Sequence, residues 1–257
     1  MYYPIQIPYV LNKTYSETTL YTEEIISDYQ DFLICLWNEQ PLTNNEKIVK
    51  HIIVTDACID LVANFQEKWI GFTGMSKTNF EYKIKNTSLH MGARFKPGAF
   101  HAITNIPANK AMNNFIPLNT IDGNFNTNKF FEFNFIEAKD YFKNYVGELI
   151  QRKKCSQFIT LFDELNDSIP DTVSEIYQKM PYGSRQCQRL FIKNYGLSPQ
   201  IILCILRFQK CLQILTTKDA NPKDIMDKYN YYDQAHFIND FKRNIGLTPL
   251  ELVRKYT

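Results

Sequence analysis

Apolar positions recur along this chain with two different periods. From about Phe32 to Phe100 they fall in short runs, DFLICLW, KHIIVTD, CIDLVANF, KWIGFTG, NFEYKI and SLHMGARF, rich in β-branched and aromatic residues and separated by Asn, Gly, Lys and Thr clusters. Strands of this length and spacing predict a β-rich domain, barrel- or sandwich-like. Phe131, Phe133 and Phe135 alternate like a last strand, and Ala138, Phe142, Tyr145, Val146 and Leu149 then recur at helical spacing, so this domain is expected to end in a helix near Gln151. After the RKKC cluster at 152–155 come a short helix in QFITLFDELND and the breaker Ile169-Pro170-Asp171, beyond which the chain reads as helices only. The longest helix, over 198–217, carries Ile201, Ile202, Ile205, Leu206, Phe208, Leu212 and Leu215, a stripe broad enough to face two neighbours along about 30 Å. The expected class is α+β, with a β-rich domain over 1–150 and an all-α domain over 151–257.

The helical part contains an internal echo offset by fifty positions. Phe191-Ile-Lys-Asn-Tyr-Gly-Leu-Ser-Pro199 is matched by Phe241-Lys-Arg-Asn-Ile-Gly-Leu-Thr-Pro249. Each copy reads as a helix stop followed by a helix start: Gly196 or Gly246 suits a left-handed C′ position, Ser198 or Thr248 can cap, and Pro199 or Pro249 fits the first helical position. Reading backwards from each Gly gives a helix of about a dozen residues, SRQCQRLFIKNY or QAHFINDFKRNI, after a turn and a shorter helix, Val173 to Met180 or Lys223 to Tyr229. The first helix-turn-helix unit is thus expected over 172–196, the connecting helix over 198–217 and the second unit over 222–246. Outward positions are Ser184, Arg185, Gln188 and Arg189 in one unit and Gln234, Ala235, His236 and Asn239 in the other. Arg pairs bidentately with guanine, and Gln or Asn with adenine, so these rows suit reading of base edges in a major groove. A solvated bundle face explains either row singly; the repetition favours two reading helices joined by a connector of about one DNA turn.

Charge adds to this picture. Residues 172–257 hold 13 Lys and Arg against 7 Asp and Glu; since the whole chain has 29 and 27, the first 171 residues hold 16 and 20. A +6 domain joined to a −4 domain is the footprint of a polyanionic partner for the basic part. At 44% hydrophobic and 22% charged, the 257 residues exclude a disordered chain and suffice for two cores. There is no apolar run of about 18 residues, and the start MYYPIQIPYVLNKTY lacks the pattern of a secretory signal, so a cytoplasmic protein without a membrane partner is expected. Six cysteines, Cys35, Cys58, Cys155, Cys187, Cys204 and Cys211, are scattered without metal-ligand spacing, which predicts reduced thiols and no metal or other cofactor.

The segment from about Cys155 to Tyr256 resembles the AraC/XylS family of bacterial transcription regulators. The match rests on Arg185, Gln188, Arg189, Phe191, the GLSP at 196–199, Arg207-Phe208, Leu212, Ile225, the run Tyr231-Tyr232-Asp233-Gln234-Ala235-His236-Phe237, Asp240-Phe241-Lys242 and the GLTP at 246–249. The resemblance implies two helix-turn-helix units bridged by a long helix, a double-stranded DNA operator as partner, and base contacts at Arg185, Gln188, Arg189, Gln234, His236 and Asn239. Ser184, Lys193, Lys210 and Lys242 are the candidates for phosphate contacts. Family habit further implies a homodimer, and RNA polymerase as partner of an activator. The chain departs from the family at Tyr177 and Met226, where smaller residues are usual, at Gly183 and Asn230 in the turns, and at Asn239, often basic in relatives.

In the N-terminal half, the stretch from Gly92 to Ile103, Ile106-Pro107-Ala108 and Pro117-Leu118 resemble a domain attached to one subgroup of these regulators, which implies a sensor for a small-molecule effector of unknown identity. Pro97-Gly98 reads as a turn, and Arg94 and Lys96 share one strand face. His90 and His101 fit core or surface roles better than a metal site, and Cys58 fits a buried strand thiol better than a nucleophile. The expectation is a regulator and not an enzyme. The alternative is a ligand-binding or catalytic β-barrel whose helical tail binds other proteins.

Overall fold

The computed structural model describes residues 1–6, 13–43, 48–85, 87–151, 153–216, 225–226, 228–229 and 231–256. A short helix α1 (Lys13–Thr18) precedes strands β1 (Thr19–Glu24), β2 (Leu33–Pro41), β3 (Ile48–Ile53), β4 (Ile59–Asn64), β5 (Trp69–Thr73), β6 (Phe80–Lys85), β7 (His90–Phe95) and β8 (Phe115–Pro117). Each of the six apolar runs contains a strand. They assemble as a six-stranded antiparallel sheet in the order β1-β2-β7-β4-β5-β8, with β3 and β6 paired separately as a two-stranded ribbon. No pairing joins β1 to β8 among the described residues, so the sheet is open rather than a closed barrel. β7 is central, with Ala93 opposite Leu36 on one side and Leu61 on the other, and all six of its residues are buried.

The helices are α2 (Ala99–Thr104), α3 (Leu118–Ile121), α4 (Thr127–Phe130), α5 (Phe135–Gln151), α6 (Gln157–Asp167), α7 (Val173–Gln178), α8 (Ser184–Tyr195), α9 (Pro199–Leu215), α10 (Gln234–Ile245) and α11 (Pro249–Tyr256). The expected last strand at Phe131–Phe135 does not form. Asn134 caps α5 instead, its side chain accepting from the amides of Ile136 and Glu137 while Glu137 accepts from the Asn134 amide, and this reciprocal box overrides the alternation. The alternating rings fill a cluster: Phe130, Phe131 and Phe135 lie 5.5, 5.3 and 5.5 Å from Phe65.

Burial couples the two halves. One apolar cluster runs from Tyr2 through the sheet and α5 to Phe158, Ile176, Phe191, Tyr195 and Leu206, so the first helix-turn-helix unit packs on the core of the β-rich part. A second cluster, around Phe208, Leu212, Phe237 and Phe241, takes in Val54 from the N-terminal half. Buried charge is paired. Arg94 stands 3.5 Å from both Glu23 and Asp60, and the Lys96 ammonium lies 2.8 Å from Asp163 of α6. Burial pushes the Asp60 carboxyl up to about 6, with Arg94 pulling it down.

Candidate nucleic-acid interface

α8 begins at Gly183, whose extended backbone (φ −66°, ψ 156°) enters the helix without a side-chain cap. Its amphipathic pattern buries Cys187, Phe191, Asn194 and Tyr195, and the Asn194 amide donates to the Leu190 carbonyl. Ser184, Arg185, Gln188, Arg189 and Lys193 lie on the exposed side. The helix stops at Gly196 (φ +73°), whose N–H donates to the Ile192 carbonyl at 3.0 Å.

α10 repeats this architecture with different chemistry at its start. Asp233 caps it, accepting from the His236 amide at 2.7 Å, and it stops at Gly246 (φ +77°). Phe237, Asp240, Phe241, Asn244 and Ile245 are buried, while Gln234, Ala235, His236, Asn239, Lys242 and Arg243 are exposed. Asp240 is structural: Tyr231 donates to one carboxylate oxygen at 2.8 Å and Asn244 to the other at 3.0 Å, while burial raises its pKa. Arg243, beside Lys242, is an exposed cation that the motif reading did not single out. His236 also packs edge-on against Tyr231, 5.2 Å between rings.

α9 connects the units. Ser198 caps it through the Ile201 amide, and Phe208 meets Phe241 with ring centroids 5.1 Å apart. Arg207 ties the connector back to the segment before α7 by donating to the carbonyls of Pro170 and Asp171. Lys210, half-buried on α9, lines a cavity of about 340 Å³ with Asp167, Asp171, Arg207 and Lys228. Asn230, Lys223 and the start of the second unit's first helix lie outside the described residues.

The N-terminal half leaves both rows of outward side chains open. It grips the far ends of the reading helices instead, a contact that neither the period nor the motif could reveal. Cys58, His90 and His101 are dispersed in buried or half-buried structure. Burial pushes the Cys58 thiol well above its ordinary range. His90 is held between Glu39 (3.3 Å) and Asn64 (3.0 Å), and burial lowers the pKa of His101, which is bonded to the Ile106 carbonyl at 3.0 Å. All six cysteines are free thiols. No group of three or more His, Cys, Asp and Glu side chains could hold a metal ion among the described residues, and no described helix is long and apolar enough to cross a membrane.

The two reading helices, each ended by a left-handed glycine, stand at either end of one connector, the arrangement expected of a double helix-turn-helix domain. Residues 176–255 match a family described as a helix-turn-helix domain, and residues 27–117 match one described as a domain of unknown function (DUF6597). The C-terminal part therefore carries a helix-turn-helix domain, as expected of a DNA-binding regulator. No curated protein matches it in sequence. Among solved structures it is similar to ToxT from Vibrio cholerae in its P21 form, at 9% identity and a TM-score of 0.45 over 93% of this chain and 99% of that one. A second ToxT structure, of the wild-type protein with bound unsaturated fatty acid, gives 9% identity and a TM-score of 0.43 over 93% of this chain and 95% of that one.

Proposed function

We propose that the protein is a one-component regulator that reads two adjacent major-groove elements of double-stranded DNA, one with each unit. Arg185, Gln188 and Arg189 meet base edges in the first element, and Gln234, His236 and Asn239 in the second. Ser184, Lys193, Lys210 and Lys242 serve the phosphates. The observation that carries this reading is the exposure of all six base-facing side chains while the N-terminal half is docked. The two helix starts divide the work further. Uncapped by a side chain, the first turn of α8 can offer backbone N–H groups to a phosphate, whereas Asp233 at the start of α10 already occupies that place with negative charge.

The N-terminal domain senses a small-molecule effector, and its signal biases the DNA-binding equilibrium. A homodimer contacting RNA polymerase completes the reading for an activator. The test is selection from a random duplex pool by the full-length protein, followed by salt titration of the winner. Expected are two elements about one helical turn apart and an affinity that falls steeply with salt. Enrichment of no site, or binding indifferent to salt, would overturn it.

A further inference from the structure

The two glycines that end the reading helices occupy equivalent places in the internal repeat, and one short loop of the N-terminal half touches both. The loop, residues 74–79, links β5 to β6. Met75, buried at 4% exposure, covers Gly196: a Cβ there would stand 2.8 Å from its methyl carbon, 3.0 Å from its sulfur and 3.0 Å from the Ala108 carbonyl oxygen. Four residues on, the Asn79 amide donates to the Arg243 carbonyl at 2.9 Å, and the Asn79 side chain donates to the carbonyls of Lys242 and Arg243 at 3.0 Å each. These are carbonyls of the last turn of α10, where intrahelical donors run out; that of Lys242 also accepts the Gly246 N–H at 2.9 Å. A Cβ built at Gly246 would stand 3.7 Å from the same Asn79 side chain.

The loop is itself held in place. Gly74 donates to the Asn114 carbonyl at 3.2 Å and Asn113 donates to the Met75 carbonyl at 3.1 Å. Gly74 sits so close to Ala111 that a Cβ would fall 1.6 Å from its carbonyl oxygen. A second contact runs alongside: Thr55 bonds the Asn244 side chain, and its own carbonyl accepts from Gln209 of α9 at 2.9 Å. The first unit, the connector and the second unit are therefore all fastened to the N-terminal half. The four residue steps from Met75 to Asn79 can span at most about 14 Å, which bounds how far the two helix ends can part.

Building on the two-headed reading proposed above, we infer that loop 74–79 is a second bridge between the units, parallel to α9, which fixes the separation of the reading helices and so makes the protein select the spacing of its two DNA elements. Met75 and Asn79 are positioning residues, acting on DNA only through α8 and α10. A connector held at one end of each helix can twist; a connector plus a second strut cannot, so mis-spaced elements are rejected instead of accommodated.

The test uses the full-length protein and duplexes carrying the two selected elements at the selected spacing and at one and two base pairs more or less. Wild type is compared with Asn79→Ala and with a Gly-Gly insertion between Lys77 and Thr78, which lengthens the strut. Wild type is expected to prefer one spacing by about tenfold or more, and each variant to fall within about threefold across the series while keeping the same base preferences in both elements. Unchanged spacing preference in a folded variant overturns the inference, because α9 alone would then set the separation. An equal loss at every spacing also overturns it, leaving a purely structural contact. Asn79→Ala removes only side-chain bonds at the surface, which keeps the test open should the insertion fail to fold. Selection of a single element by wild type would overturn the two-headed reading itself, and would be seen before either variant was made.

Discussion

The Tyr195 hydroxyl donates to the Phe158 carbonyl at 2.6 Å, tying the last residue of the first reading helix to the first turn of α6. The Tyr195 ring also packs edge-on against Phe158, Phe162 and Phe191. Tyr195→Phe keeps the ring and removes the bond, while the carbonyl, inside a helix, keeps its backbone donor. The expected loss is about 1 kcal/mol in urea unfolding. Tyr195→Ala empties the same site and should cost about 3–5 kcal/mol. Equal losses for the two variants would show that the hydroxyl, not the ring, carries the joint.

Features set by local rules were legible in the sequence. Gly196, Gly246, Ser198 and Thr248 work through their own backbone and first neighbours, so punctuation alone placed α8, α9 and α10. Features decided by distant partners were not. The alternation at Phe131–Phe135 has a strand's period, yet Asn134 and Glu137 close a capping box that starts a helix there. Arg94 and Lys96 read as cations on one strand face; that both are buried depends on Glu23, Asp60 and Asp163, between 34 and 71 residues from them by sequence number. Asp240 fits a polar helix position by pattern and becomes a buried acceptor only because Tyr231 and Asn244 turn inward. The exposed rows on α8 and α10 were readable because amphipathic period reports a burial direction. The grip of Met75 and Asn79 on the helix ends was not, since tertiary docking leaves no period.

Gly196→Ala should cost more stability than Gly246→Ala. Both positions are left-handed, at φ +73° and +77°, and each Ala therefore pays about 1 kcal/mol of backbone strain. At Gly246 the new Cβ meets nothing closer than 3.7 Å, whereas at Gly196 it presses on Met75 and, at 3.0 Å, on a backbone oxygen of Ala108 that cannot swing away. Thermal melts of the two variants measure the difference; equal shifts would mean that the Ala108 turn gives way without cost.

The Asp60 carboxyl makes the fold sensitive to mild acid in a stated direction. Burial raises it to about 6 in the folded chain, against about 3.9 unfolded, with Arg94 opposing the rise. Because the folded value is raised, the group's contribution is fully present below about pH 4 and is lost as pH climbs through about 6. Asp60→Asn removes the titration and can still accept the Trp37 indole N–H, which lies 3.0 Å away in wild type. Its stability relative to wild type should therefore rise between pH 4 and pH 6, as followed by urea unfolding at a series of pH values. A constant gap would show that Arg94 cancels the cost of burial.

Arg189 and Lys193 sit four residues apart on the exposed side of α8, and substituting each should separate base reading from phosphate binding. Arg189→Ala should lower affinity for the selected site by about 1–3 kcal/mol and relax the preference at one position of the first element, leaving non-specific binding nearly as before. Lys193→Ala should weaken specific and non-specific duplexes alike and reduce the slope of log affinity against log salt by about one. Fluorescence anisotropy over a salt series, on the selected site and on its single-base variants, distinguishes the two patterns. If Arg189→Ala behaved as Lys193→Ala is expected to, Arg189 would be a phosphate contact and the base-reading row of α8 would reduce to Arg185 and Gln188.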